Sequence, residues 1–230
     1  MKRLSLFLAT ISIAFLFASM LMGTVEAGTQ IWDFEKADQE KAWHVATGKW
    51  EIKNGVYQQT EAALPAMASF LGDEKSEGVD WKDYTVEAKI RIEQSNWAGL
   101  IFRAKSDLEY YVLYFGVGSN IELWRHKPPN VDSRDNIFNI APKGVGAFAA
   151  GEWYTLRAVV DGDEFQLFVN DELQNEVVDA VYDAGRIGLW AWQAAASFDD
   201  VKVTGDGIKD TTAVQPDKKL AITWGKLKID

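Results

Sequence analysis

A chain of 230 residues with a net charge of -10 and no cysteine is excluded from several classes at once. The excess of carboxylates repels phosphate backbones and anionic lipid surfaces, which argues against nucleic-acid and membrane-surface partners. The absence of thiols removes disulfides, thiolate metal sites and lipid attachment to a cysteine, so the domain must hold together by burying the 47% of its residues that are hydrophobic.

The chain opens with Lys2 and Arg3, an apolar run from Leu4 to Met22, and the small-residue end Val25-Glu26-Ala27. This pattern predicts a signal peptide over residues 1–27, with the mature protein beginning at Gly28 and exported to the periplasm, the cell surface or the medium. The run is long enough for an uncleaved anchor. The Val-x-Ala end and the lack of a basic flank favour removal, after which no segment is apolar enough to insert in a membrane.

From residue 28 the dominant period is two. In YTVEAKIRI (84–92), Tyr84, Val86, Ala88, Ile90 and Ile92 alternate with Thr85, Glu87, Lys89 and Arg91, which predicts a half-buried antiparallel strand. WAGLIFRA sends Leu100 and Phe102 inward and Arg103 outward. The stretch YYVLYFGVGSNIELWRH (110–126) reads as a hairpin: Tyr111, Leu113, Phe115 and Val117, with Ile121 and Leu123, face the core. Tyr110, Val112, Tyr114, Glu122, Trp124 and His126 fall on the opposite face.

Residues 127–143 predict a long loop holding one short strand, Ile137 to Ile140; long loops in compact domains often carry function. Strands return at 153–160, 164–169 and 185–192, where Ile187, Leu189 and Ala191 point inward and Trp190 and Trp192 outward. Turn signals such as Lys53-Asn54-Gly55 and Asp161-Gly162-Asp163 separate them. Strands at roughly ten-residue spacing, with no long helical window, predict an all-β fold, a two-sheet antiparallel sandwich of jelly-roll type over residues 28–205. A polar linker and a tail, KLAITWGKLKID, occupy 206–230. The tail reads as an extra edge strand or as a segment that docks on a protein partner.

One exposed face would thus collect aromatic rings beside hydrogen-bonding groups. Sugar rings lay apolar C–H patches on aromatic faces, and their hydroxyls take bidentate partners. Trp124, Trp190 and Trp192 are expected to stack on sugar, Tyr110 and Tyr114 to add edges and hydroxyls, and Arg103, Glu122 and Gln193 to fix orientation. Trp97 would form a rim. The alternative is that these are ordinary strand aromatics packed under the 127–143 loop.

The motifs NWAGLIFRA (96–104), LEYYVLYFGVG (108–118), IELWR (121–125), GEWYTLRAVVDGDEFQLFVNDEL (151–173) and GRIGLWAWQAAASFDDVKV (185–203) occur in order after WDFE (32–35) and GKWEIKNGVYQQ (48–59). Together they resemble a bacterial branch of the concanavalin A-like lectin/glucanase superfamily, similar to laminin G-like modules and to the 3-keto-disaccharide hydrolase family. The resemblance spans residues 30–204. It implies a jelly roll whose concave face carries the carbohydrate site. It also implies a structural calcium ion near the carboxylates of the first and last strands, here Asp33, Glu35 and Asp200, against the alternative that these simply cap strand ends.

The paired-carboxylate strand signature of the glucanases in that superfamily is missing, and Glu122 is the candidate acid or base if there is chemistry. His44 and His126, far apart and without thiols, do not suggest a transition metal. No nucleophile elbow, phosphate-binding loop or dinucleotide fingerprint occurs. The expected function is noncovalent carbohydrate binding, with a glycoside-cleaving enzyme or an extracellular interaction module as alternatives.

Overall fold

The computed structural model describes residues 27–62 and 65–211, so most of the expected leader and the tail from residue 212 lie outside the described residues. Thirteen strands run in chain order: β1 (Gly28–Trp32), β2 (Trp43–Val45), β3 (Trp50–Lys53), β4 (Val56–Gln59), β5 (Met67–Leu71), β6 (Tyr84–Ala104), β7 (Tyr110–Gly116), β8 (Ile121–His126), β9 (Arg134–Ile140), β10 (Trp153–Asp161), β11 (Glu164–Val169), β12 (Glu172–Val178) and β13 (Arg186–Gly205). Two short 3-10 turns, Ala37–Ala42 and Glu77–Asp80, are the only helical elements among the described residues. None of these helices is long and apolar enough to cross a membrane. Every strand pair is antiparallel.

Two long strands organise the fold. β6 and β13 pair from Tyr84–Gly205 at one end to Ala104–Arg186 at the other. The first half of β6 carries β10, β11 and β12 on its free side, and the second half of β13 carries β1 and β4–β3, giving one layer. The second half of β6 carries β7, β8 and β9, and the first half of β13 carries β5 and β2, giving the other. The register slips where Ala195 opposes Gln94 but Ala196 opposes Ile92, leaving Glu93 as the extra residue. Such a bulge bends and twists a strand pair, and here it lies between the two layers.

The core fills the space between the layers. Phe115 of β7 meets Phe148 and Tyr154, and Phe102 and Tyr111 meet Phe165 of β11 edge to face. Tyr111, Leu113, Phe115, Ile121, Leu123, Leu100, Phe102, Ile187, Leu189 and Ala191 all belong to this core, as their period-two positions require. Val117 does not: it lies past the end of β7 in the turn and is exposed. The segment 127–143 departs further from expectation. Arg134–Ile140 forms a seven-residue edge strand on β8, and only Phe138 on it is buried. One buried position in seven leaves almost no apolar alternation to read.

Candidate functional site

A second apolar cluster covers the other side of the β5-β13-β6-β7-β8 layer, away from the core. It comprises Phe70, Ile101, Tyr110, Val112, Tyr114 and Trp190 with small neighbours, and Trp97, Trp124 and Trp192 pack against it half-buried. Strand register explains the arrangement. Trp190, Gly99, Tyr114 and Glu122 form one row across four adjacent strands. Gly99 has no side chain between the two rings, so Trp190 and Tyr114 lean together over it and stack at 4.9 Å and 20°. A Cβ at Gly99 would lie 2.4 Å from the Leu113 carbonyl oxygen and 2.5 Å from Tyr114 Cβ. In the next row Trp192 opposes Trp97, which opposes Gly116, and the two indoles lie 5.0 Å apart.

Glu122 is 7% exposed. Its Oε2 accepts hydrogen bonds from Tyr114 Oη (3.0 Å) and from Trp124 Nε1 (2.7 Å). Burial, then the Glu122 charge, pushes the Tyr114 hydroxyl far above the ordinary tyrosine range. Two rows away, past Val112 and Trp124, Tyr110 stacks on His126 at 4.5 Å, and burial raises its hydroxyl as well. Burial, reinforced by the Arg134 cation and partly offset by the Val131 backbone, pushes His126 down to about 3, so its ring is neutral at pH 7.

The sequence-predicted set is therefore largely brought together: Tyr110, Tyr114, Glu122, Trp124, Trp190 and Trp192 share this face, with Trp97 beside them. Their roles differ from expectation. Trp190 and Tyr110 are 1% exposed and form the floor, because each is sandwiched among its neighbours. Trp97, Trp124 and Trp192 are the half-buried rings above it.

Arg103 belongs elsewhere. Its backbone adopts φ +50°, which takes it out of the strand alternation. The buried guanidinium donates to the carbonyls of Tyr182 (2.9 Å), Lys82 (3.0 Å) and Gly162 (2.6 Å) and lies over Phe165, a core ring. It is a structural clamp and, contrary to the sequence expectation, lies outside the candidate site. Gln193, also at positive φ (+49°), spends its amide oxygen on Asn96 Nδ2 (2.7 Å) and bonds neither Glu122 nor Trp192.

The residue that sequence reading missed is Arg134, at the start of β9 in register with His126. Its guanidinium lies 4.9 Å from the Trp124 ring and 5.6 Å from the Trp192 ring, a cation held against two indoles. The available signal was Asn130, whose side chain accepts from Asp132 N and Ser133 Oγ, an Asx turn closing a hairpin before RDNIFNI.

The carboxylates expected to hold calcium do not fit it. Asp33 Oδ1 accepts from Gln39 Nε2 and the Glu35 amide, and Asp200 is paired with Lys89 at 2.6 Å. Among the described residues no three carboxylate or histidine side chains converge on one point, whereas calcium takes six to eight oxygens.

A model of the 3-keto-alpha-glucoside-1,2-lyase-like domain matches residues 29–204. The chain belongs to this family. The match takes in every strand from β1 to β13 that builds the aromatic face. This family member is also similar to the levanase of Bacillus subtilis (strain 168), 25% identical over 122 residues, which are 52% of this chain and only 17% of the levanase. Among solved structures it is similar to the carbohydrate binding module CBM66 from Bacillus subtilis, with TM-score 0.60, 21% identity, and coverage of 70% of this chain and 94% of that one. A laminarinase catalytic domain from Thermotoga petrophila RKU-1 gives TM-score 0.55 at 10% identity, covering 78% and 97%. Domain 4 of an extracellular arabinanase from Geobacillus stearothermophilus, in complex with arabinotriose, gives 0.52 at 13%, covering 79% and 94%. At these identities the structural likenesses establish the fold, an antiparallel jelly-roll sandwich.

Proposed function

We propose that this protein binds carbohydrate noncovalently on the aromatic face. The observation that carries the reading is a set of three half-buried indoles, Trp97, Trp124 and Trp192, around a carboxylate and a guanidinium on the sheet face turned away from the main core. Flat apolar rings meet the C–H faces of a sugar, and Glu122 and Arg134 meet its polar rim. The similarity to a carbohydrate binding module supports it, as does the 17% share of the levanase that the chain spans, which is module-sized. Export is supported by the leader pattern of residues 1–27. Affinity electrophoresis in gels containing levan, laminarin or arabinan tests the proposal: retardation of the wild type should vanish in Trp124→Ala/Trp192→Ala while circular dichroism stays native. Retardation that persists in the double variant overturns it.

The family description favours a second reading, elimination from a 3-ketoglucoside. The ketone at C3 acidifies the C2 proton; a base removes it, and the C1 substituent leaves with its bonding electrons. In this reading Glu122, the carboxylate of this face, would act as that base. Release of the aglycone from a 3-ketoglucoside, abolished in Glu122→Gln, would support it, and no turnover would leave binding alone.

A further inference from the structure

Six arginines lie among the described residues, and five have acceptors. Arg91 pairs with Glu93, Arg125 with Asp135 and Asp179, Arg157 with Asp171, and Arg186 with Asp107, while Arg103 is held by three carbonyls. Arg134 has none. Among the described residues its guanidinium makes no hydrogen bond or ion pair, and it lies against the rings of Trp124 and Trp192 with His126 as its register partner. The nearby carboxylates are engaged: Asp135, next in sequence, holds Arg125 at 2.9 Å and Lys127 at 2.6 Å, and Glu122 accepts from Tyr114 and Trp124 without pairing to Arg134.

A half-buried guanidinium keeps its full charge and five N–H donors, and those donors match a planar carboxylate in a bidentate fork. The two indoles hold the fork in place before a ligand arrives, so little side-chain freedom is lost on binding. In a chain of net charge -10 general attraction for anions is absent, so any preference for an acid must come from this one group. We infer that the aromatic face selects sugars carrying a carboxylate, and that Arg134 is the residue that reads it. The inference rests on the carbohydrate-binding reading above and adds the class of sugar.

The test is a glycan array probed with the full chain. It carries matched pairs that differ only at the acid, such as homogalacturonan oligosaccharides and their methyl esters and glucuronate-ended and glucose-ended chains, beside fructans and β-glucans. The acidic member of a pair should bind at least tenfold more tightly than its neutral partner. Arg134→Gln should reduce it to the neutral level, Arg134→Lys, which keeps the charge but loses the fork, should restore only part, and Trp192→Ala should weaken both members. Because the methyl esters remove the charge from the ligand, the central comparison needs no variant to fold. Binding confined to neutral glycans, or acid binding unchanged in Arg134→Gln, overturns the acid preference, and sensitivity to Trp192→Ala then leaves the carbohydrate reading standing. An array on which nothing binds overturns both.

Discussion

Replacing His126 by phenylalanine should remove a pH dependence that the aromatic face imposes on the whole domain. The imidazole stacks on Tyr110 at 4.5 Å and lies 6.2 Å from the Trp190 ring, with Arg134 the charged group that opposes its protonation. Its pKa falls from 6.5 to about 3 on folding. Between those values the unfolded chain binds a proton that the folded chain excludes. The contribution is fully present above pH 6.5 and is lost as pH falls toward 3, at about 1.4 kcal/mol per pH unit. From pH 7 to pH 5 the loss amounts to about 2 kcal/mol, a large part of the margin of an ordinary domain. His126→Phe keeps a flat ring on Tyr110 and cannot titrate. Urea unfolding followed by tryptophan fluorescence at pH 7, 6 and 5 should show the wild type losing about 2 kcal/mol more than the variant across that range. Asp135 and Asp183, held low by hydrogen bonds from Lys127 and Lys105, titrate in both proteins and cancel in the comparison. Parallel lines for the two proteins would refute the claim that His126 is buried as a neutral ring.

Other consequences follow from the same geometry. Gly99→Ala puts a methyl group against the Leu113 carbonyl and Tyr114, so it should cost about 2–3 kcal/mol and erase the near-UV dichroism of the Trp190–Tyr114 stack. Arg103→Met strands three carbonyls that the guanidinium now satisfies. It should cost about 3–5 kcal/mol in denaturant titrations, yet the folded fraction should bind glycan as the wild type does; weaker binding per folded molecule would return Arg103 to the site.

The parts of this structure legible in the sequence are those governed by period two. The assignment of Tyr111, Leu113 and Phe115 to the core and of Tyr110, Val112 and Tyr114 to the opposite face follows from alternation alone. Alternation is silent about what lies over a face, which is why Trp190 and Tyr110 read as exposed although their neighbours bury them. It also fails wherever the backbone leaves the extended region, and Arg103 and Gln193, at φ +50° and +49°, are both such places. Arg134 escaped notice because an edge strand pairs on one side and buries little, so RDNIFNI carries a weak pattern. The two-layer path of β6 depends on a bulge at Glu93, a single-residue slip that leaves no compositional trace.

The continuity of β6 and β13 through both layers has a dynamic consequence. Trp190 and Gly99 sit on the same two strands that carry Phe198 and Ile90 of the opposite layer, so this part of the aromatic floor cannot open without disturbing ladders that hold the far sheet. The amides of Trp190 and Gly99 should therefore exchange with solvent only through global unfolding, in contrast to those of the β9 edge. Under the proposed function, a sugar arriving at the face would meet a floor already in its final shape, and its binding energy would not be spent on assembling one.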